Sequence, residues 1–268
     1  MQQQIPPTLE PALASARTAP EATNLIGLLE ELSFNAWPSL QTVHYDGWVL
    51  RFANGYSRRA NSVNPVFSSS LQVDDKIKYC EGLFQARGLR PIFKMTPLVY
   101  PHDLDSILAK KWYREEATTS VQTLDLNHLE KPAVESAAIS GQLTDTWLAA
   151  YCRMNRVPEQ QAATLRQMLG SIVPRHAFVT LFQDGEAVSA GMGVVDRGYV
   201  GLFDIVTDER WRNRGYGRQQ VLHLLNWGKA NGATRAYLQV TVENAAAQRL
   251  YAGLGFREAY QYWYRVKG

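Results

Sequence analysis

The sequence predicts an α/β fold made of two mixed-sheet units in tandem, with helices on both faces of the sheet. Segments of strand composition alternate with segments of helical period along most of the 268 residues. The order helix, glycine, strand, helix, strand also occurs twice. Gly88 and Gly232 lie 144 residues apart, while Tyr113 and Phe256, each followed by Arg-Glu, lie 143 apart. Two such similar offsets indicate an internal duplication.

The first unit is predicted over residues 21–130, after a tail at residues 1–20 that is rich in Gln, Pro and Ala. The tail shows no hydrophobic period, and we expect it to be mobile. Asn24 is predicted to cap a helix that ends before Trp37 and Pro38. The elements that follow are predicted as strands 45–52 and 59–67, a helix 74–86, a strand 92–96, a helix 103–111 and a strand 118–126.

A linker is predicted at residues 127–135, and the second unit at residues 136–268. Asp184 and Gly185 form a strong turn signal, which predicts a hairpin between the strands on either side. The elements before the central loop of this unit are predicted as helices 143–154 and 159–169 and strands 176–182, 187–195 and 199–207.

The second unit is organised around a loop at residues 208–218, here called the anion loop, between a strand and a helix. The first N–H groups of a helix lack intrahelical partners and lie at the positive end of its dipole, so this loop is predicted to bind an anion. Gly215 and Gly217 leave room for a diphosphate to approach the backbone. The arginines of the loop are Arg210, Arg212, Arg214 and Arg218.

The spacing within the anion loop decides between kinds of phosphate site. A nucleotide-hydrolase loop is excluded because no Lys-Ser or Lys-Thr follows the glycines, and a dinucleotide fingerprint because Gln220 holds the third glycine position. The remaining motif is R-x-x-G-x-G, formed by Arg212, Gly215 and Gly217. Further along comes N-x-x-A-x-x-x-Y-x-x-x-G-F, formed by Asn244, Ala247, Tyr251, Gly255 and Phe256. Together these motifs resemble the GNAT superfamily of acyl-CoA N-acyltransferases over residues 140–265.

The resemblance implies acetyl-CoA as the acyl donor, with free CoA as a product. In this superfamily the pantetheine arm lies along the strand before the loop, where its amides pair with the backbone like an added strand. A backbone N–H there would polarise the thioester carbonyl. Asn244 could contact the same arm or cap the next helix. The residues that the resemblance assigns to the donor are Ile205, Val206, Thr207, Arg212, Asn213, Arg214, Gly215, Tyr216, Gly217, Arg218 and Asn244.

The first unit has no such loop. Its counterpart at residues 68–75 contains no arginine and ends in Asp74 and Asp75, which would repel a diphosphate. Leu108 stands at the position that corresponds to Tyr251. The first unit is therefore predicted to be a degenerate copy without a CoA site, as in tandem members of the superfamily.

Two residues are candidates for catalysis. By resemblance, Tyr251 supports the departing thiolate, although a helical tyrosine can equally be a core residue. Asp204 is the nearest acid to the proposed thioester and could act as the base or anchor the sheet. Several superfamily members carry a glutamate where this chain has Gly201, which leaves His176, Glu186 and Tyr262 as further candidates for the base.

Composition limits the classes of partner. The net charge of +3 is spread along the chain, which does not favour nucleic-acid binding. Cys80 and Cys152 fit no metal or redox spacing, so no metal is expected. No apolar stretch approaches the roughly 18 residues that a membrane span requires. We therefore expect a cytoplasmic protein without membrane contact, either a monomer or a homodimer.

These observations predict an N-acetyltransferase that moves an acetyl group from acetyl-CoA directly to a primary amine of a small molecule or a protein. The alternative is a non-catalytic acyl-CoA-binding module whose degenerate half recognises a partner. Tyr251 favours the enzyme, whereas Gly201 without an obvious base favours the module.

Overall fold

The computed structural model describes residues 19–268. Its helices are α1 Ala19–Ala36, α2 Val73–Gln85, α3 Leu104–Lys110, α4 Asp145–Asn155, α5 Glu159–Gly170, α6 Tyr216–Ala230 and α7 Ala245–Gly253. Its strands are β1 Gln41–Tyr45, β2 Trp48–Phe52, β3 Val63–Asn64, β4 Ile92–Met95, β5 Tyr113–Asp125, β6 Ala137–Ser140, β7 Arg175–Gln183, β8 Glu186–Asp196, β9 Tyr199–Thr207, β10 Arg235–Thr241 and β11 Arg257–Lys267. Short 3-10 turns lie at Arg58–Ala60 and Glu209–Trp211.

All of these strands belong to one 11-stranded sheet in the order β1-β2-β3-β4-β11-β5-β10-β9-β8-β7-β6. The β3–β4 and β9–β10 pairs are parallel, while the other pairs are antiparallel, so the sheet is mixed. Helix α6 packs on one face of β7 to β10, and α4 on the opposite face of β7 to β9. The predicted α/β class, with a mixed sheet and helices on both faces, is confirmed.

The two halves of the chain exchange strands in the middle of this sheet. Strand β11 lies between β4 and β5, and β5 lies between β11 and β10. The inserted β11 is also held by side chains of the first half, because Arg265 makes two hydrogen bonds of 2.8 and 2.7 Å to Asp105 of α3. We call β5 and β11 the interlocked strands. The division into units at residues 21–130 and 136–268 stays a prediction, since both halves share one sheet.

The start of the chain differs from expectation in three places. Of the predicted tail at residues 1–20, residues 1–18 lie outside the described residues, and Ala19 already begins α1. Asn24 therefore lies inside this helix and does not cap it. The predicted strand 45–52 is broken by Asp46 and Gly47, whose φ angles of 42° and 79° are those of a two-residue hairpin turn between β1 and β2.

The other differences concern short or edge strands. The predicted strand 59–67 is reduced to β3, which pairs with β2, because residues 58–60 form a 3-10 turn instead. Strand β5 begins at Tyr113 rather than at residue 118, and the edge strand β6 lies just after the predicted linker. No helix within residues 19–268 is long and apolar enough to cross a lipid bilayer.

Candidate active site

Strands β9 and β10 part in the middle of the sheet. They pair only from Tyr199–Leu202 to Arg235–Leu238. Beyond that point β9 stays with β8, and β10 stays with β5. The cause is a β-bulge: Phe203 pairs with Met192 but Val206 with Ala190, which leaves one extra residue in β9. Among the described residues, the side of β9 that faces β10 therefore has no strand partner beyond Leu202.

The gap between the parted strands forms a cleft of about 460 Å³, here called the β9–β10 cleft. Five of the predicted site residues line it, namely Asp204, Ile205, Val206, Asn244 and Tyr251. The anion loop begins at the same end of β9, because a Cβ added to Gly217 would lie 3.5 Å from Thr207 Oγ1. The structure thus brings the residues of the two motifs to one place.

The start of α6 has the features of an anion site. Its N-cap is Gly215, whose φ of 86° suits glycine, and no side chain within residues 19–268 caps the helix. The first turn of α6 contains no acidic residue. The N–H groups of Tyr216, Gly217 and Arg218 lack intrahelical acceptors because they lie in this first turn. Asn213 lies beside them with a φ of 61°. These features fit a diphosphate.

The four arginines near this helix start are not equivalent. Arg210 pairs with Asp208 and Glu186, and Arg218 makes hydrogen bonds of 2.9 and 2.6 Å to Glu130. Any contact of Arg218 with an anion therefore falls to its backbone N–H.

The other two arginines have weaker partners. Arg212 donates from Nε to the Thr207 carbonyl oxygen at 3.3 Å and lies 3.8 Å from Glu209. Arg214 stacks on the Trp211 ring at 4.9 Å and has no carboxylate partner within residues 19–268. Arg212 and Arg214 are thus the cations left for an anion, while the Tyr216 hydroxyl donates to Gln183.

Asp204 is a buried carboxylate in the cleft. Its side chain is 6% exposed, and Oδ2 has no hydrogen-bond partner among the described residues. Burial raises the pKa of Asp204 to about 6, although Arg59, 3.9 Å away, and the Tyr151 hydroxyl both oppose this rise. A carboxyl group with such a pKa is suited to general base catalysis near neutral pH.

Strict alternation along β9 would place Asp204 on the same face as Val206, but Asp204 occupies the bulge with a φ of 53°. Ile205 packs with Leu202 in the core under α6, whereas Val206 packs with Phe203 on the opposite face. A three-residue spacing on each face replaces strict alternation. Asp204 therefore turns into the cleft instead of anchoring the sheet.

The other candidates for the base lie elsewhere. His176 contacts the Pro174 carbonyl oxygen through Nδ1 at 2.8 Å, and Glu186 is paired with Arg210. Tyr262 donates to Gln239 at 2.9 Å. None of the three lines the β9–β10 cleft. Among the described residues that line it, Asp204 is the only carboxylate.

Gly201 lies where no side chain fits. A Cβ added there would be 2.6 Å from the Tyr237 ring and hydroxyl and 2.7 Å from the Phe203 ring. The ring of Tyr237, which is 1% exposed, thus fills the space that a glutamate would need. The absence of an acid at this position follows from packing.

We expect Gly201→Ala to lower the free energy of unfolding by about 1–3 kcal/mol, since overpacking forces rings and backbone to shift. Thermal or urea unfolding measures the change. Gly82→Ala in α2 is the matched control, because its Cβ meets no atom within 4 Å, and it should be neutral or stabilising. Equal stability of Gly201→Ala and the wild type would contradict the packing described here.

Tyr251 and Asn244 lie on α7. The Tyr251 ring is 8% exposed and packs edge-on against Phe256, and its hydroxyl has no hydrogen-bond partner within residues 19–268. Burial raises the pKa of Tyr251 to about 12. Asn244 caps α7, since its Oδ1 accepts from the Ala247 N–H at 3.1 Å, and it also lines the cleft.

Several residues that line the cleft carry no motif and were missed by sequence reasoning. Tyr151, Asn155 and Gln161 come from α4 and α5. The first half of the chain adds Trp37, Tyr56, Ser57 and Arg59. The Arg59 guanidinium stacks on the rings of Trp37 and Phe203 at 4.9 and 5.7 Å. No local pattern in the sequence could reveal a contact between such distant segments.

Comparison with known proteins gives consistent matches over most of the chain. Residues 23–265 match the family described as "Probable histone acetyltransferase Rv0428c C-terminal". The chain is 30% identical to the probable histone acetyltransferase Rv0428c of Mycobacterium tuberculosis, covering 92% of this chain and 75% of that protein. It is 26% identical to the uncharacterized N-acetyltransferase YobR of Bacillus subtilis, covering 89% of this chain and 97% of that protein.

Among solved structures, the GCN5-related N-acetyltransferase from Kribbella flavida superposes with a TM-score of 0.64. The match covers 95% of this chain and 96% of that chain at 16% sequence identity, so it shows a common fold.

Proposed function

Because the chain belongs to the Rv0428c C-terminal family and is a GNAT-type acetyltransferase, we propose that it transfers acetyl from acetyl-CoA directly to a primary amine of a small molecule or a protein. The observation that carries this proposal is the β9–β10 cleft. Its walls carry a buried carboxylate with one oxygen unpartnered and a phenol without a hydrogen-bond partner among the described residues, and an uncapped helix start lies at its end.

The anion loop would bind the diphosphate of the donor. The free N–H groups at the start of α6 supply donors, and Arg212 and Arg214 supply charge. From there the pantetheine arm would enter the gap between the parted strands, with its amides paired to the free edge of β9 at Ile205–Thr207. This arrangement would bring the thioester between Asp204 and Tyr251.

The acceptor reaches the cleft as an ammonium group, because an alkylamine has a pKa of about 10. Asp204 would accept one proton from it, at a cost of about 5 kcal/mol because the pKa of Asp204 is about 6, and the amine nitrogen would then attack the thioester carbon. The C–N bond forms, the C–S bond breaks, and the nitrogen loses a second proton as the amide forms. The leaving sulfur takes up one proton and the other goes to solvent, so acetyl-CoA and the ammonium give the amide, CoA thiol and H⁺.

Tyr251 would donate a hydrogen bond to the leaving sulfur. Its pKa of about 12 lies well above the thiol value of about 8.5, so complete proton transfer to the thiolate is uphill by about 5 kcal/mol. A hydrogen bond that strengthens as charge builds on sulfur stabilises the transition state without that cost.

The anion loop is tested by CoA binding in calorimetry. Gly217→Ala should fold like the wild type, since its Cβ would make only ordinary contacts at 3.5 and 3.6 Å with Thr207 and Leu250, but it should weaken CoA binding because the Cβ takes up room that the diphosphate needs. Gly217→Val should weaken CoA binding at least about tenfold, because its branched side chain would crowd Thr207 and Leu250 at the start of α6. Arg214→Ala should cost less, about two- to fivefold, because the residue is exposed.

Glu130→Gln serves as the control for this series. It frees the Arg218 guanidinium and leaves the N–H groups at the helix start unchanged, so CoA affinity should not fall. A folded Gly217→Val protein with wild-type affinity would refute the assignment of the loop.

The reaction itself is tested by thiol release from acetyl-CoA over a panel of primary amines, with the acetylated product identified by mass. Release that depends on the amine supports the proposed transfer. Tight CoA binding without release for any small amine, amino acid or lysyl peptide would instead support a non-catalytic acyl-CoA-binding module.

A further inference from the structure

Two charged groups in the β9–β10 cleft have hydrogen-bonding atoms without a partner among the described residues. One is Asp204, whose buried Oδ2 has no partner among the described residues. The other is Arg59, which is 27% exposed and makes no side-chain hydrogen bond within residues 19–268. The nearest atoms of the pair are Arg59 Nη2 and Asp204 Oδ1, 3.9 Å apart, which is too far for a hydrogen bond.

The position of Arg59 is fixed by packing. Its guanidinium lies over the faces of the Trp37 and Phe203 rings. These contacts leave the N–H donors, which point outward in the plane of the guanidinium, without an acceptor among the described residues. The neighbouring Arg58 is different, because it pairs with Glu116 outside the cleft. Arg59 thus presents the planar donor set of a guanidinium to the cleft without a protein acceptor.

Buried polar atoms are nearly always hydrogen-bonded, so the unpartnered Asp204 Oδ2 calls for an explanation, whereas the partly exposed Arg59 is open to solvent and to a ligand. A ligand with an ammonium and a carboxylate would satisfy both groups at once. The ammonium would donate to Asp204 Oδ2, and the carboxylate would accept from Arg59. Because the two protein groups are neighbours, the two ligand groups must be neighbours as well, as they are in an α-amino acid.

We propose that the acceptor is a small zwitterion of the α-amino acid class, held by Arg59 through its carboxylate while Asp204 receives its amino group. This inference rests on the proposed function and deepens it. Arg59 is then the residue that determines acceptor specificity. The first half of the chain acts in the reaction by supplying this residue and the Trp37 ring that orients it.

The bonds made and broken are those of the transfer above. The α-nitrogen gives one proton to Asp204 and attacks the thioester carbon, so the product is an N-acetylamino acid. Its nitrogen carries no charge, so the product loses the ammonium contact with Asp204 and keeps only the contact with Arg59. The N-acetylamino acid should therefore bind more weakly than the amino acid substrate.

The test compares α-amino acids with the matched amines that lack the carboxylate, for example phenylalanine with phenethylamine and leucine with isopentylamine. Thiol release is measured for the wild type, Arg59→Met and Arg58→Met. We expect the wild type to prefer the acids at least about tenfold in kcat/KM. Arg59→Met, which keeps a long apolar stem over Trp37, should lower kcat/KM for the acids about ten- to a hundredfold and bring the acid-to-amine ratio near one. Arg58→Met should behave like the wild type.

A second readout separates this inference from the proposed function. In the presence of CoA, phenylalanine should raise the melting temperature of the wild type and of Arg58→Met but not of Arg59→Met. If no acceptor causes thiol release from acetyl-CoA, the proposed function fails. The shift in melting temperature then decides alone whether the zwitterion site exists. Equal use of amino acids and decarboxylated amines by the wild type, or better use of lysyl peptides than of free amino acids, would overturn the inference and leave the acetyltransferase intact.

Discussion

Asp204→Asn is expected to lower kcat/KM for the acceptor by about a hundred- to ten-thousandfold, the range for loss of a positioned general base. The amide keeps the size of the side chain in the bulge but cannot take a proton. In the wild type, kcat/KM should rise with pH through about 6, because the carboxyl group acts as a base only when ionised. In Asp204→Asn, kcat/KM should not show this rise with pH.

The same variant should be more stable than the wild type at neutral pH. Burial raises the pKa of Asp204 from 3.8 to about 6, so the folded protein binds more protons than the unfolded chain between these values. The wild type therefore loses stability as pH rises from about 4 to 6, by up to about 3 kcal/mol. Asp204→Asn should not show this loss.

Denaturant unfolding at pH 4 and pH 8 measures this difference. Asp196→Asn, on β8 and outside the cleft, is the control for both experiments. Full activity of Asp204→Asn with an unchanged pH profile would remove Asp204 from the mechanism.

Tyr251→Phe is expected to reduce kcat by about ten- to a thousandfold, with CoA affinity nearly unchanged. Phenylalanine keeps the ring packed on Phe256 and removes only the hydroxyl, whose hydrogen bond forms as charge develops on sulfur. Tyr251→Ala should in addition lower the free energy of unfolding by about 3–5 kcal/mol, because it leaves a cavity in the core under α6.

The two variants distinguish a catalytic hydroxyl from a core ring. If Tyr251 serves only packing, the Phe variant will turn over like the wild type and only the Ala variant will suffer. Tyr199→Phe is the control, since its hydroxyl accepts from Arg235 at 3.1 Å and does not line the cleft. It should change neither kcat nor CoA affinity.

Elements with long, consistent patterns could be predicted from the sequence. Strand 199–207 coincides with β9, and the Asp184-Gly185 turn joins β7 to β8 as expected. The turn at Asp46-Gly47 was missed, although it has the composition of a hairpin turn, because the strand pattern continues on both sides. The bounds of β3 could not be predicted, because two residues carry no period and only the neighbours β2 and β4 define the strand.

The candidate site was predictable only where motifs mark it. The anion loop and the Tyr251 helix carry such motifs. The structure places Tyr251 in the cleft and the anion loop at the neighbouring end of β9, although the roles of these residues stay predictions. The bulge at Asp204 depends on how β8 pairs with β9, which the sequence of β9 alone does not contain. Arg59 meets Asp204 only because distant segments pack together, so no local signal could have found it.

The interlocked strands have a consequence for synthesis of the chain on the ribosome. Strands β4 and β5 are made early, but β11, which fills the space between them, follows much later. At about 5–20 residues per second, the delay is on the order of ten seconds. During that time the first half exposes unpaired strand edges, which favour aggregation and binding by chaperones. A cut between the halves would give two fragments that each lack one central strand, so the fragments should regain a folded sheet only when they are mixed.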